Sequence, residues 1–416
     1  MQGNVNEDIV IIGAGIVGLA IAEAMIANGR SVLVIDRKGI AQEASAGNAG
    51  ALCFSDIFPL ASPGIIRKAP KWLLDPLGPL AIRPSYFLKA LPWLIKFGLA
   101  SRPTQFHQGT EVLANLNRLS ATSFHNMLVR IGATHMIHSD GSLQLYESEA
   151  EVQAAEAGWK IRQQHGIAYE HVRSERLADL QPGLAPSIIA ATFVPQWQTV
   201  SDPQQVAFAI EKSLRKKGVK FLVDEVAKIA PIENGAKITL SNGSQICAKK
   251  IIVAAGAWSA QLTKQLGDNI PLETERGYNT TLPSTAFDLR RQLIFGSHGF
   301  VVTPLTTGIR IGGAVEFGGL NLPPNFGRSS AMLAKASMLL RGLKTDGGKQ
   351  WMGFRPSLPD SLPVIGPSSA SPAIIYAFGH GHCGLTQSAA TAQLVVDIVT
   401  LAKPSISLQP FRPDRF

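Results

Sequence analysis

The chain has 416 residues, 45% apolar and 17% charged, a balance that excludes a disordered protein and leaves room for two or more domains with their own cores. Its three cysteines, Cys53, Cys247 and Cys383, lie far apart with no CxxC spacing, which excludes a disulfide framework or a cysteine zinc site and suits a reducing compartment. The formal net charge of +9 leaves nucleic acid, a membrane surface or an acidic ligand open as partners, so the placement of the basic residues matters more than their total.

The leader "MQGNVNED" is acidic, and glycines interrupt the apolar run behind it, so it does not read as a signal peptide. No apolar run approaches the ~20 residues needed to span a bilayer. The protein is therefore expected in the cytoplasm.

"DIVIIGAGIVGLAIAEAMIANGRSVLVIDR" reads as a buried strand over 9–12, a glycine turn, a helix to about 28 and a second strand over 31–35. Gly13-x-Gly15-x-x-Gly18 sits between the strand and the helix. Glycines there permit a tight turn, close approach of a pyrophosphate to the backbone and close helix packing. The phosphate charge then meets the helix N-terminus. Asp36 ends the second strand, placed to accept hydrogen bonds from a ribose. The motif predicts dinucleotide binding and does not distinguish FAD from NAD.

Region 40–105 is rich in Pro and Gly and reads as loops with short helices. Within 64–103 run Arg67, Lys68, Lys71, Arg83, Lys89, Lys96 and Arg102, opposed by Asp75. Trp72, Leu73, Leu74, Tyr86, Phe87, Leu88, Trp93, Leu94, Ile95 and Phe97 are interleaved with them. Such a mixture suits an interfacial segment lying on a membrane, or else a solvated face packed on the protein body. No nucleic-acid-binding module accompanies it, so no nucleic-acid partner is expected.

A helix is predicted over 106–131, a strand at "SLQLY", a helix over 147–164 and an amphipathic helix in "QQVAFAIEKSLRKKG", which closes on basic residues and Gly. Short strands follow in "VKFLV", "VAKIA", "AKITL" and "QICAKKIIVAAG", then β runs broken by Gly and Pro between 271 and 316. "IIVAAGAWSAQL" is a second close-packed strand-to-helix turn, either a cofactor wall or packing alone. In "IIYAFGHGHCGLTQSAATAQLVV" a strand ends at Phe378, glycines free the backbone and a helix begins near Leu385, another N-terminus open to an anion. His380 and His382 have no nearby carboxylate in sequence and no third histidine, so no metal site is expected.

One arginine stands out. Arg355 lies in "WMGFRPSLPDSLPVIG", an apolar, turn-rich stretch, and a guanidinium is rarely buried without an anion. The nearest acid downstream is Asp360. Either Asp360 is the partner, or the anion comes from outside the protein.

Taken in order, "GAGIVGLA…VLVIDR", "EASAGNAGAL", "VAAGAWS", "ERGYN", "GFRPSLPDSLPVIG" and "GHGHCGLT" resemble the FAD-dependent amino-acid oxidoreductases of the D-amino-acid oxidase superfamily, with the D-amino-acid dehydrogenases most similar. The resemblance runs from about residue 9 to 401. It implies an α/β fold: a Rossmann-like FAD-binding domain (1–56, 200–270 and 350–416) interleaved with an α+β substrate domain on a mixed or antiparallel sheet (57–199 and 271–349).

Residue by residue, it implies that Gly13, Gly15 and Gly18 cradle the FAD pyrophosphate and that Asp36 and Arg37 serve the adenosine end. Ser45, Asn48, Ala49 and Gly50 would line the phosphate and flavin region, Val226 would meet the adenine, and Ala255 and Gly256 would pass beside the cofactor. Gly381, His382, Gly384, Leu385 and Thr386 would hold the pyrimidine end of the isoalloxazine. Arg355 would bind the substrate's α-carboxylate through two parallel hydrogen bonds, with Tyr278 as second contact. The FAD is expected to be non-covalent.

The implied reaction is hydride transfer from the Cα of a D-amino acid to flavin N5. It gives an imino acid that water converts to a 2-oxo acid, or a cyclic imine from D-proline or a hydroxyproline. The basic and aromatic segment 64–103 favours a quinone or another carrier as acceptor, reached by peripheral contact with the inner face of the cytoplasmic membrane. An amine oxidase of the glycine or sarcosine type using O2, and an NAD-binding dehydrogenase or sensor without flavin, are the alternatives.

Overall fold

The computed structural model describes residues 7–65, 78 and 80–416. Arg67, Lys68, Lys71, Trp72, Leu73, Leu74 and Asp75 of the expected membrane-surface segment lie outside them. Among the described residues the strands form an eight-stranded, a nine-stranded and a three-stranded sheet.

The eight-stranded sheet is parallel at its centre, where Lys220–Val223, Val32–Asp36, Glu7–Ile12, Gln245–Val253 and Ile374–Phe378 lie side by side. Parallel strands are buried on both faces, which is why "IVII" is apolar without alternation. Ile9 and Ile11 face one core, with helices Ile16–Ala27, Pro103–Ile131, Pro203–Lys216 and Gly384–Thr400. Val10 and Ile12 face a second core, against the antiparallel meander Val226–Ile232 and Gly235–Leu240 and the short helix Ser259–Gln265. The sheet is thus a covered α/β layer with the glycine turn at the C-terminal end of its strands, where such sheets bind ligands.

The nine-stranded sheet is largely antiparallel and draws on Leu80–Ile82, on strands between 142 and 194, on those between 273 and 317, and on Lys349–Ser357. Its core gathers Leu143, Phe295, Phe300 and Ile311 under helix Gly327–Leu339. Lys349–Ser357, which carries Arg355, belongs to this sheet rather than to the nucleotide-binding segments in which its number placed it.

The region read as loops with short helices holds a helix of 14 residues. Phe87–Ala100 forms despite Pro92 in its interior, resting Ala90 and Trp93 on Phe317 of the nine-stranded sheet. Among the described residues no helix is long and apolar enough to cross a membrane.

Candidate active site

The glycine turn is built by collision avoidance. Gly13 has φ +113°, and a Cβ on it would strike the Ala254 carbonyl, while a Cβ on Gly18 would strike the carbonyl of Gly13. Only glycine fits both places. The turn therefore seats the first helix against the strand end, with Gly15 at the N-cap and no acidic residue in the first turn. Ser45 Oγ accepts the Ile16 N–H at 2.9 Å, which brings the 45–50 loop to the helix N-terminus.

From there a cleft runs along the strand ends, with an empty volume of about 1330 Å³, its open mouth included. Its lining runs from 224–226 past the glycine turn to Arg355 and 381–385, so the cleft suits a ligand as long as a dinucleotide. Asp224, Glu225 and Val226 line one end, with Asp36, Arg37 and Trp258 close by. Arg37 stacks 3.7 Å over the Trp258 ring and pairs with Glu43. The carboxylate of Asp36 accepts N–H groups from Ala14, Lys38 and Gly39 at 2.8, 2.8 and 3.0 Å. Three of its roughly four acceptor positions are thereby used, leaving about one for a ribose hydroxyl. Gly13, Gly15, Ala254, Ala255 and Gly256 form the middle. Gly381, His382, Gly384 and Leu385 close the far end with Arg355. The "VAAGAWS" turn is thus a wall of the cleft, not packing alone.

Ser45 and Asn48 line the cleft, whereas Gly18, Ala49, Gly50 and Thr386 stand behind its wall. Their work is support. Thr386 Oγ1 accepts the Cys53 N–H at 3.1 Å and donates to Ala51 O at 3.3 Å, tying the last helix to the 45–52 segment. That segment is also held from the nine-stranded sheet: Asn279 Nδ2 donates to Gly47 O at 2.7 Å and Arg310 Nη1 to Asn48 O at 2.6 Å.

Arg355 reaches the cleft by an unusual route. Its side chain lies across Gly277 on the neighbouring strand, where a Cβ would strike the guanidinium. Nη1 donates to Ala314 O at 2.8 Å and Nη2 to Gly313 O at 3.3 Å on the strand beyond. Ala314 has φ +55°, and the pairing of its strand shifts register between Arg276 and Tyr278. A bulge of this kind re-aims a backbone group, here a carbonyl toward the guanidinium.

Asp360 does not serve as Arg355's partner. It accepts from Arg415 Nε at 2.7 Å and Nη2 at 3.2 Å. Among the described residues no carboxylate makes an ion pair with Arg355. Burial lowers its pKa, and Glu275, directly opposite on the paired strand, opposes that drop.

Tyr278 does not join the cleft. Alternation along the strand puts Glu275, Gly277 and Asn279 on the Arg355 side and Tyr278 on the other. There the phenol is buried, donating to Glu316 Oε1 at 2.9 Å and accepting the Asn325 N–H at 3.0 Å.

The two histidines of "GHGHCG" differ. His380 is buried, bonded to Thr391 Oγ1 at 2.8 Å, and burial pulls its pKa down to about 3, so it is a neutral structural group. His382 is part-exposed on the cleft wall, its Nε2 2.8 Å from Glu275 Oε2. Glu275 is distant in sequence from both His382 and Arg355; it opens the "ERGYN" stretch, which points to Tyr278 rather than to the acid. Among the described residues no group of side chains could hold a metal ion.

The cleft as a whole fits an extended dinucleotide: glycines where phosphates approach, an open helix N-terminus, an acid and an aromatic ring at one end and an arginine at the other. Comparison with known proteins agrees. The chain is 34% identical to a D-amino-acid oxidase of Bradyrhizobium diazoefficiens, over 98% of each chain. It is 29% identical to a D-amino acid dehydrogenase of Neisseria meningitidis serogroup C, over 94% of this chain and 95% of that one. The fold superposes on glycine oxidase from Geobacillus kaustophilus with TM-score 0.76 and 20% identity, over 98% of each chain. The model of the DAO family, FAD dependent oxidoreductase, matches residues 8–398, and the chain belongs to that family.

Proposed function

We propose that the chain oxidises the Cα–N bond of a D-amino acid, linear or cyclic like D-proline, and passes the electrons to a quinone at a membrane surface. Arg355 carries the reading: a guanidinium on the cleft wall, oriented by two carbonyls and ion-paired to no described carboxylate, is a site for a carboxylate from outside. The names of the Bradyrhizobium and Neisseria relatives support the D-amino acid.

FAD bound in the cleft supplies a two-electron acceptor for the hydride leaving Cα. The chain supplies position. Arg355 receives the α-carboxylate on the guanidinium edge left free by Gly313 and Ala314, which fixes the direction of the Cα–H. Gly381, His382, Gly384 and Leu385 hold the wall beside it. The FAD is non-covalent. Cys383 Sγ lies 3.8 Å from Cys53 Sγ, and that neighbour together with burial pushes its thiol pKa well up, away from a reactive thiolate.

The test is anaerobic mixing of the yellow protein with paired D- and L-amino acids, proline and 4-hydroxyproline included. Bleaching of the flavin band by D-isomers is the expected result, and acid precipitation should leave the colour in the supernatant. An inert flavin sinks the substrate assignment, and a yellow pellet sinks the non-covalent one.

The acceptor assignment comes from helix Phe87–Ala100. Leu88, Leu91, Ile95 and Leu99 form an outward apolar stripe, with Leu88 79% and Ile95 57% exposed. Lys89, Lys96 and Arg102 are exposed beside it. An outward apolar stripe flanked by lysine is built for lipid, each basic residue adding about 1 kcal/mol at an anionic surface. The protein should sediment with phosphatidylglycerol vesicles at low salt, and Leu88→Glu/Ile95→Glu should leave it in the supernatant with dye-coupled turnover unchanged. Wild type that ignores vesicles and is reoxidised rapidly by O2 favours the second reading, an oxidase like the Bradyrhizobium relative, which hydrogen peroxide matching substrate consumed would establish.

A further inference from the structure

His382 and Glu275 form a pair that the carboxylate-anchoring role of Arg355 leaves unused. Glu275 is 4% exposed, and its Oε2 lies 2.8 Å from His382 Nε2. An ionised carboxylate only accepts hydrogen bonds, so it selects the tautomer with the proton on Nε2. The lone pair of a neutral His382 is then on Nδ1, and the ring stands on the cleft wall, its side chain 36% exposed. Glu275 is also the residue directly opposite Arg355 on the paired strand. One buried carboxylate thus flanks both a guanidinium suited to a carboxylate and an imidazole suited to a proton.

An α-amino acid carries two charged groups on one carbon. The carboxylate suits Arg355; the other group is an ammonium, whose nitrogen must shed a proton before its lone pair can drive hydride departure from Cα. We infer that His382 is the base that takes this proton, with Glu275 as its positioning residue. The inference rests on the amino-acid reading above. In the step an N–H bond of the ammonium breaks, the Nδ1–H bond forms and the electron pair stays on the substrate nitrogen. The substrate becomes a neutral amine and His382 an imidazolium balanced by Glu275, with no change of oxidation state. The proton returns to solvent through the open cleft mouth.

The surroundings agree. Burial raises the Glu275 pKa, and the hydrogen bond from His382 and the charge of Arg355 oppose that rise, which favours the carboxylate. Arg355 faces the pair from strand Lys349–Ser357 and Glu273 from farther along Glu275's own strand, hydrogen-bonded to Tyr86. Within its own loop His382 is flanked by His380, whose Nε2 is committed to Thr391, and by Cys383, beyond which lie Cys53 and Asp56. Of the two histidines, only His382 is both on the wall and exposed.

The pH profile of kcat/KM decides, measured on FAD-loaded wild type, His382→Gln, His382→Asn and Glu275→Gln. General-base catalysis contributes about 10²- to 10⁴-fold. His382→Gln should lose that factor at pH 7 and recover toward high pH, its acidic limb displaced to the ionisation of the substrate's own ammonium. Glu275→Gln, which still accepts from Nε2 but carries no charge, should fall between.

A second readout needs no turnover. 2-Aminoisobutyrate has no Cα–H and is not oxidised. Adding it to ¹⁵N-histidine-labelled wild-type holoenzyme, at a pH where the ligand-free spectrum shows a neutral imidazole that is missing from the His382→Gln spectrum, should convert that imidazole to imidazolium. A loss equal at every pH, an unmoved acidic limb, or an imidazole that stays neutral overturns the assignment and leaves the amino-acid reading standing. A wild type that no amino acid bleaches ends both. If neither His382 variant binds FAD, the wild-type titration, with its resonance assigned through Glu275→Gln, decides alone.

Discussion

Replacing Arg355 with methionine lowers kcat/KM for the amino acid by roughly 30- to 5,000-fold while FAD content stays at the wild-type level. The range follows from about 2–5 kcal/mol for removing one partner of a buried charged pair, at 1.36 kcal/mol per factor of ten. Methionine keeps an unbranched apolar stem and removes the guanidinium that lies over Gly277. The carbonyls of Gly313 and Ala314 then lose their donors, so part of the loss appears as a lower melting temperature. Arg355→Lys separates charge from geometry. An ammonium attracts a carboxylate without binding it through two parallel bonds, so KM should recover more than kcat. A folded, yellow Arg355→Met protein with wild-type kcat/KM would remove Arg355 from the reaction. Asp360 offers no refuge for the arginine in that case, because Arg415 already holds it.

That pairing marks the boundary of what the linear sequence tells. Arg355 announces itself by chemistry, as a guanidinium in an apolar stretch, but its competitor is dismissed only when the chain's last residues fold back to Asp360. The glycine turn is legible because everything it needs, strand, turn and helix, lies within one short stretch. Tyr278 is the opposite case. Alternation says that Glu275 and Gly277 share a face and that Tyr278 does not, yet nothing local says which face meets the cofactor. Register between strands as far apart as Glu273–Leu282 and Lys349–Ser357 is set by packing. The same register hides the Glu275–His382 pair. Helix Phe87–Ala100 is legible only as one of several short helices without bounds: Pro92 interrupts its pattern, and Leu88, Leu91, Ile95 and Leu99 on its outer face blur the contrast between buried and solvated sides.

The register that sends Tyr278 away from the cleft also delivers it to a buried ionic cluster, and breaking that cluster has the largest expected effect on stability. Glu316 is 1% exposed; it pairs with Arg276, fully buried, and with Arg83 Nε at 3.2 Å, and it accepts the Tyr278 hydroxyl. Arg276 also donates to Gly319, Leu322 and Pro323 carbonyls, pinning the 319–323 turn. Glu316→Ala strands two guanidinium groups without their acid, which costs about 3–5 kcal/mol. Glu316→Gln keeps an acceptor for Tyr278 and should cost less. The measurement is the urea midpoint of each variant with FAD bound. Function should follow stability here, because Glu316 lies two residues from Ala314, whose carbonyl aims Arg355, and one from Phe317, on which the outward apolar helix rests. A loosened strand end therefore raises KM for the amino acid before it releases FAD, whose cleft is lined mainly from the other sheet, with Phe354, Arg355 and Pro356 from this one. If Glu316→Ala unfolds at the wild-type urea concentration, the cluster is not what holds this strand. If FAD is lost before KM changes, the two sheets are coupled more tightly than their separate cores imply.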